Sequence, residues 1–113
     1  MAENPVNIMQ HTDAAIGIEG ELNQSNAAAF EQTLAALKIN TEAVALDMLE
    51  FDVDDGLAIA TAINAIRHLL TQTRKVKLIA APQILCHNLY RIGLLELGTA
   101  IELIAMREDE PYG

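Results

Sequence analysis

The amino-acid sequence predicts an α/β domain in which a mixed sheet of four to five strands packs with three to four helices. In some short segments apolar residues alternate with their neighbours, as in strands. In others they recur every three to four residues, as in amphipathic helices. The segments follow one another in the order β-β-α-β-α-β-α-β. Strands joined through helices pair in parallel, and an initial hairpin adds an antiparallel strand.

The N-terminal part of the chain is predicted to contain a hairpin and a helix. Residues 6–10 and 14–22 are predicted strands, because apolar residues occupy alternate positions in each segment and a polar turn separates the two. Ser25 is the expected N-cap of a first helix over about 26–38. Its hydroxyl can accept a hydrogen bond from a free amide of the first turn.

The central part of the chain leads from a strand through an acidic loop into a second helix. Residues 44–48 form the predicted strand, and the loop follows over residues 50–56. The second helix is predicted over about 55–73. Asp54 and Asp55 are expected at its start, where carboxylates suit the positive end of the helix dipole.

The C-terminal part of the chain adds two strands and one helix to the predicted fold. Residues 75–80 are a predicted strand in a buried position, and a third helix is expected to end near Gly93. A short last strand is predicted over residues 100–104. We expect one domain with its core over about 6–104 and a flexible tail over 105–113.

The composition excludes several classes of function. The chain has 113 residues, a net charge of −9 and an apolar fraction of 51%. Such an acidic chain has no electrostatic reason to bind nucleic acid or an anionic bilayer. No apolar run is long enough to span a membrane, no signal peptide is recognisable, and Cys86 is the only cysteine. A cytoplasmic location is therefore the simplest interpretation.

The reactive side chains form no recognisable catalytic or metal-binding pattern. His11, His68 and His87 lack ligand spacing, and Cys86 has no close basic neighbour to activate its thiol. The only serine, Ser25, lies at the expected helix cap, and no glycine-rich phosphate loop is present. The sequence thus predicts no enzyme, no cofactor and no metal.

Three segments resemble the STAS domain of anti-sigma factor antagonists. Residues 18–23, Ile-Glu-Gly-Glu-Leu-Asn, resemble the Gly-Glu-Leu-Asp end of that family's second strand, with Asn23 in place of aspartate. Residues 51–57, Phe-Asp-Val-Asp-Asp-Gly-Leu, resemble Phe-Met-Asp-Ser-Ser-Gly-Leu, the switch loop that enters the second helix. Residues 89–94 resemble a late Leu-Thr-Gly-Leu segment. The three occur in register over about 6–104.

The resemblance implies a non-enzymatic module that binds a protein partner through the switch loop and the second helix. In that family the residue before the loop glycine is a serine or threonine, which a partner anti-sigma kinase phosphorylates to release the complex. Asp55 stands at this position, so the resemblance implies a fixed negative charge that no kinase switches. The residues that it assigns to partner binding are Asn23, Asp52, Val53, Asp54, Asp55, Gly56 and Leu57.

Other interpretations of the same residues stay open. A STAS subunit of a lipid-transport ABC system, bound to its ATPase, or a stressosome-like scaffold would use the same loop. A degenerate response-regulator receiver would instead use Asp47 as phosphoacceptor, at the end of the strand over residues 44–48. The simplest alternative is a solvated acidic loop that starts a helix. Whether the chain pairs with a second copy is also left open.

Overall fold

A computed structural model of the chain describes residues 5–54, 56–94 and 100–106, with residues 105 and 106 described through their backbone alone. Within these ranges the chain forms six strands and three helices, which confirms the α/β class and the mixed sheet. The elements are β1 (Asn7–Thr12), β2 (Ala15–Leu22), α1 (Ala27–Ala36), β3 (Ala43–Asp47), β4 (Phe51–Val53), α2 (Gly56–Leu69), β5 (Lys75–Ala81), α3 (Gln83–Arg91) and β6 (Ile101–Met106).

The sheet has the strand order β1-β2-β3-β5-β6. β1 and β2 form the predicted antiparallel hairpin, and the remaining neighbours pair in parallel. β4 pairs with β2 alone. The first half of β2, Ala15 to Gly17, pairs with β3, and its second half, Gly20 to Leu22, pairs with β4. The prediction of a loop over residues 50–56 is therefore wrong for Phe51–Val53.

One face of the sheet and the three helices share a single buried core. Side chains alternate along a strand, so every second residue of β2, β3 and β5 points to this face. The helices contribute Phe30 and Leu34 of α1, a seven-residue stripe of α2 and the inner side of α3. The buried strand residues in this core are Ile16, Ile18, Leu22, Val44, Leu46, Phe51, Val76, Leu78, Ala81 and Ile101.

The predicted helix ends differ from the observed ones at three places. Ser25 is not the N-cap, because α1 begins at Ala27 with Asn26 in the cap position, and the Ser25 side chain is exposed. Asp54 lies two residues before α2, which begins at Gly56. α2 ends at Leu69 instead of residue 73, since a turn follows in which Thr71 donates its hydroxyl to the His68 carbonyl oxygen at 2.6 Å.

The C-terminal strand is longer than the sequence predicts. β6 runs to Met106, so residues 105 and 106 of the predicted tail belong to the sheet, and residues 107–113 lie outside the described part of the chain. Its pairing with β5 shifts register on both sides of Ile79, and the next residue, Ala80, has a left-handed φ of 55°. No helix in the described ranges is both long enough and apolar enough to span a bilayer.

Candidate functional site

β2 and β4 end side by side at one edge of the sheet. Leu22 pairs with Val53, and the Asp54 amide then donates to the Leu22 carbonyl oxygen at 2.8 Å. The residues that follow these strands, Asn23 and Asp54, therefore leave the sheet at the same place, and α2 begins just after. The structure brings together the predicted partner-binding residues that it describes, whereas Asp55 lies outside the described residues.

β4 is anchored by one buried aromatic residue. Before it, the Asp47 carboxylate accepts a hydrogen bond from the Leu49 amide at 3.1 Å, and the Phe51 amide donates to the Met48 carbonyl oxygen at 3.0 Å. The Phe51 ring is fully buried and stacks on Phe30 of α1, with centroids 5.7 Å apart and planes 14° apart. Because side chains alternate along a strand, burial of Phe51 turns Asp52 toward solvent.

The segment that joins β4 to α2 exposes carboxylates beside an aliphatic side chain. Asp52 and Asp54 are exposed, and Val53 is half-buried. Leu57, the second residue of α2, is 66% exposed. A Cβ atom added to Gly56 would meet nothing within 4 Å, so packing within the described chain does not require a glycine there. An exposed leucine next to carboxylates is the kind of surface that a protein partner can cover.

The exposed face of α2 continues this surface without charge. Residues 56–66 contain no acidic or basic side chain. Leu57, Ala60 and Asn64 are exposed along this face, whereas Arg67 and His68 lie in the last turn. The helix thus offers an uncharged strip that begins at the acidic segment. We call the described residues among 52–57, together with this strip, the docking surface.

Asn23 serves the structure of the turn that leads into α1. Its side-chain oxygen accepts hydrogen bonds from the amides of Ser25 at 2.9 Å and Asn26 at 3.2 Å. The Asn26 side chain accepts from the Asn23 amide at 2.9 Å and donates to the Glu21 carbonyl oxygen at 2.9 Å. Asn23 is half-buried and Asn26 only 5% exposed. Within the chain the Asn23 side chain holds this turn, and its partner-binding role stays a prediction.

Asn26 is a residue that the sequence interpretation missed. Its buried side chain links the end of β2 to the start of α1. The signal was available, because two asparagines three residues apart before an apolar helical repeat are similar in spacing to a capping box. Asparagine and serine both favour helix N-termini, so residue preference alone does not distinguish Asn26 from the neighbouring Ser25.

Asp47, the alternative phosphoacceptor, is exposed at the end of β3. It lines a depression of about 360 Å³ with His11, Glu19 and Glu50, on the side of the sheet away from the helices. Within the described residues, no three histidine, cysteine or acidic side chains are placed to hold a metal ion. A phosphoacceptor role for Asp47 stays a prediction.

The remaining candidates have ordinary environments. The Cys86 side chain is buried in α3, with its sulfur 3.9 Å from the Ala81 carbonyl oxygen, and His68 and His87 are exposed on helices. The class that fold and site define together is an α/β domain with an acidic segment at the start of an exposed helix. No known family model matches the sequence, and no curated protein resembles it at a significant level.

Proposed function

We propose that this chain is a cytoplasmic, non-enzymatic module of the STAS type that binds a regulatory protein, as anti-sigma factor antagonists do. One observation carries the proposal. β2 and β4 end together, so that Asp52, Asp54 and Leu57 of the segment resembling the switch loop lie exposed before and at the start of α2. A buried or distant segment could not serve as a binding surface.

The chemistry of the docking surface suits a partner with a basic rim and an apolar pocket. Leu57 is 66% exposed and can fill such a pocket, and buried anchors of this kind dominate the affinity of many interfaces. Asp52 and Asp54 precede Leu57 in the chain, are exposed, and would steer a positively charged partner toward the surface. Anti-sigma kinases and ABC transporter ATPases are the partner classes that the family resemblance suggests.

The proposal includes a constitutive charge at Asp55. No serine or threonine lies between Thr41 and Thr61, so the loop offers no hydroxyl for a serine kinase. A phosphoserine would carry about −1.5 to −2 charges, and an aspartate supplies roughly half of that permanently. The partner complex would then be controlled by protein abundance and not by phosphorylation of this loop.

A binding titration with matched variants tests the docking surface. Anti-sigma serine kinases and ABC ATPase subunits from the same genome are purified and titrated singly into the chain by calorimetry. Leu57→Asp is expected to weaken the complex by roughly tenfold or more, because it places a charge in the apolar contact. Ile84→Asp is the control, since Ile84 is the second residue of α3 and 45% exposed. Equal effects of both variants, or binding by none of the candidates, would overturn the proposal.

Mass spectrometry tests the fixed charge. After incubation with a kinase that binds the chain and with ATP, the wild type is expected to carry no phosphate on residues 50–60, whereas Asp55→Ser gains one there. Phosphate on the wild-type loop contradicts a permanent charge at Asp55. In the calorimetric assay Asp55→Ser should also change the affinity, because it removes a charge from the proposed interface.

A further inference from the structure

One face of the sheet is left uncovered by the described chain. The helices pack on the opposite face, and the strand residues that alternate with the core are exposed or half-buried, apart from Gly17. Mostly parallel sheets are ordinarily covered on both faces. The described side chains of this uncovered face are Asn7, Met9 and His11 of β1, Ala15, Gly17, Glu19 and Glu21 of β2, Ala43, Ala45 and Asp47 of β3, Asp52 of β4, Lys75, Lys77 and Ile79 of β5, and Glu102 and Ile104 of β6.

Opposite charges occupy the two halves of this uncovered face. Asp47 and Glu19 lie on the half formed by β2 and β3, whereas the lysines lie on β5. Lys75 is already paired, with its Nζ 3.5 Å from Glu102 Oε1. Neither Lys77 nor Asp47 forms an ion pair with another described residue. Asp47 and Lys77 therefore remain available for pairing, one on each side of the line between β3 and β5.

The shapes of the two halves are also complementary. On β2, Gly17 forms the floor of the depression of about 360 Å³ that Met9 and Asp47 help to line. A Cβ atom at Gly17 would lie 2.9 Å from His11 Nε2, so a larger residue at this position would fill part of the depression. On β6, Ile104 projects from the same face and is 48% exposed. An aliphatic projection and a depression thus lie on opposite halves.

We propose that the uncovered face is the interface of a homodimer, in which a twofold axis runs along the strands between β3 and β5. Such an axis exchanges the two halves, so that β3 of one copy lies over β5 of the other and β2 lies over β6. Asp47 pairs with Ile79 within the sheet, and Lys77 is the next residue of β5 on that face. Asp47 of each copy is then within reach of Lys77 of the other, and Ile104 faces the depression above Gly17.

The size of the face predicts a weak dimer. Four overlapping strands about 4.8 Å apart and roughly five residues long give an overlap of about 20 by 15 Å. This footprint is about 300 Å² per copy, or about 600 Å² in total, which is below the roughly 1,000 Å² of stable interfaces, so we expect a transient dimer with a Kd in the micromolar range or weaker. The dimer uses neither Leu57 nor the exposed strip of α2, so it stands or falls independently of the proposed function.

Sedimentation velocity on the full chain tests the dimer, over a range of about 10 μM to about 1 mM that covers a weak interface. The wild type is expected to shift from monomer to dimer as concentration rises. Lys77→Glu and Asp47→Lys should each raise the dissociation constant roughly tenfold or more, because each opposes like charges. Arg67→Glu, on the exposed side of α2, changes the net charge as Lys77→Glu does and should leave the constant within about twofold.

A mixture of the two charge variants gives the sharpest outcome. In a heterodimer of Lys77→Glu with Asp47→Lys, both opposed pairs again combine an acid with a base, so mixing should restore the dimer. Circular dichroism confirms that each variant is folded before mixing. A wild type that stays monomeric at all concentrations overturns the proposal, as does a mixture of folded variants that fails to dimerise, and the face would then belong to another occupant. Leu57→Asp should dimerise as the wild type does, which separates this interface from the docking surface.

Discussion

Asn23 and Asn26 exchange hydrogen bonds, since the backbone amide of each donates to the side-chain oxygen of the other, at 2.9 and 3.2 Å. The two residues use their side chains differently beyond this exchange. Asn23 acts only as an acceptor in its described hydrogen bonds, also receiving the Ser25 amide, whereas Asn26 also donates its Nδ2 to the Glu21 carbonyl oxygen. The difference decides which of them an aspartate can replace.

Asn23→Asp should therefore be tolerated and Asn26→Asp should not. A carboxylate at residue 23 keeps both accepted hydrogen bonds, so the free energy of unfolding should change by less than about 0.5 kcal/mol. At residue 26 it loses the donor and turns a buried oxygen toward the Glu21 carbonyl, which should cost about 2 kcal/mol. Urea denaturation of both variants, with Ser25→Ala as an unaffected control, measures this. Equal losses for the two aspartates would show that the turn does not depend on the Asn26 donor.

Hydrophobic periodicity predicts the three helices and five of the strands close to their observed positions. It misses β4, because a three-residue strand with one buried side chain, Phe51, shows no alternation. The left-handed backbone of Ala80 could not be predicted from the sequence, since alanine rarely adopts that conformation. The uncovered face is also invisible in the sequence. Residues 75–80 look like a buried strand, yet only the side of β5 that carries Val76 and Leu78 is packed under the helices.

The candidate site is predictable to a similar extent. The acidic segment and its position before a helix follow from composition and spacing alone. That β2 ends beside it does not, because the pairing of Leu22 with Val53 depends on the missed strand. The sequence could also not show that Asn23 is committed to a turn, since that requires the position of the Asn26 side chain.

Gly56→Ala separates the stability of α2 from partner binding. Gly56 is the first residue of the helix, its φ is not left-handed, and a Cβ there meets nothing within 4 Å. Alanine should therefore raise the free energy of unfolding by about 0.4 to 1 kcal/mol. If a partner backbone approaches the glycine, the same variant should bind more weakly although it is more stable. Gly20→Ala is the contrast, because φ of 120° and the Pro5 carbonyl oxygen 3.4 Å from the new Cβ make it destabilising.

Gln72 should contribute measurably to stability. Its side-chain oxygen accepts from the Ile39 amide at 3.1 Å and its nitrogen donates to the Leu37 carbonyl oxygen at 3.0 Å, joining the end of α1 to the turn after α2. Gln72→Ala should lower the free energy of unfolding by about 1 to 2 kcal/mol, because both partly buried backbone groups lose a partner. Gln32→Ala, on the exposed side of α1, should change it by less than about 0.5 kcal/mol. Thermal or urea denaturation measures both free energies of unfolding. Equal losses for the two variants would show that the Gln72 side chain does not stabilise the fold through these hydrogen bonds.

Ala80 should accept glycine where other buried alanines do not. Its φ of 55° costs an L-residue about 1 to 2 kcal/mol, and glycine removes that strain. The gain is offset by the loss of a buried methyl, worth about 0.8 kcal/mol, and by the greater freedom of glycine in the unfolded chain. Ala80→Gly should thus be nearly neutral, whereas Ala65→Gly, at a buried position inside α2, should cost about 2 kcal/mol. Urea denaturation of the two variants gives the comparison, and a loss at Ala80 as large as that at Ala65 would show that the left-handed backbone stores no strain.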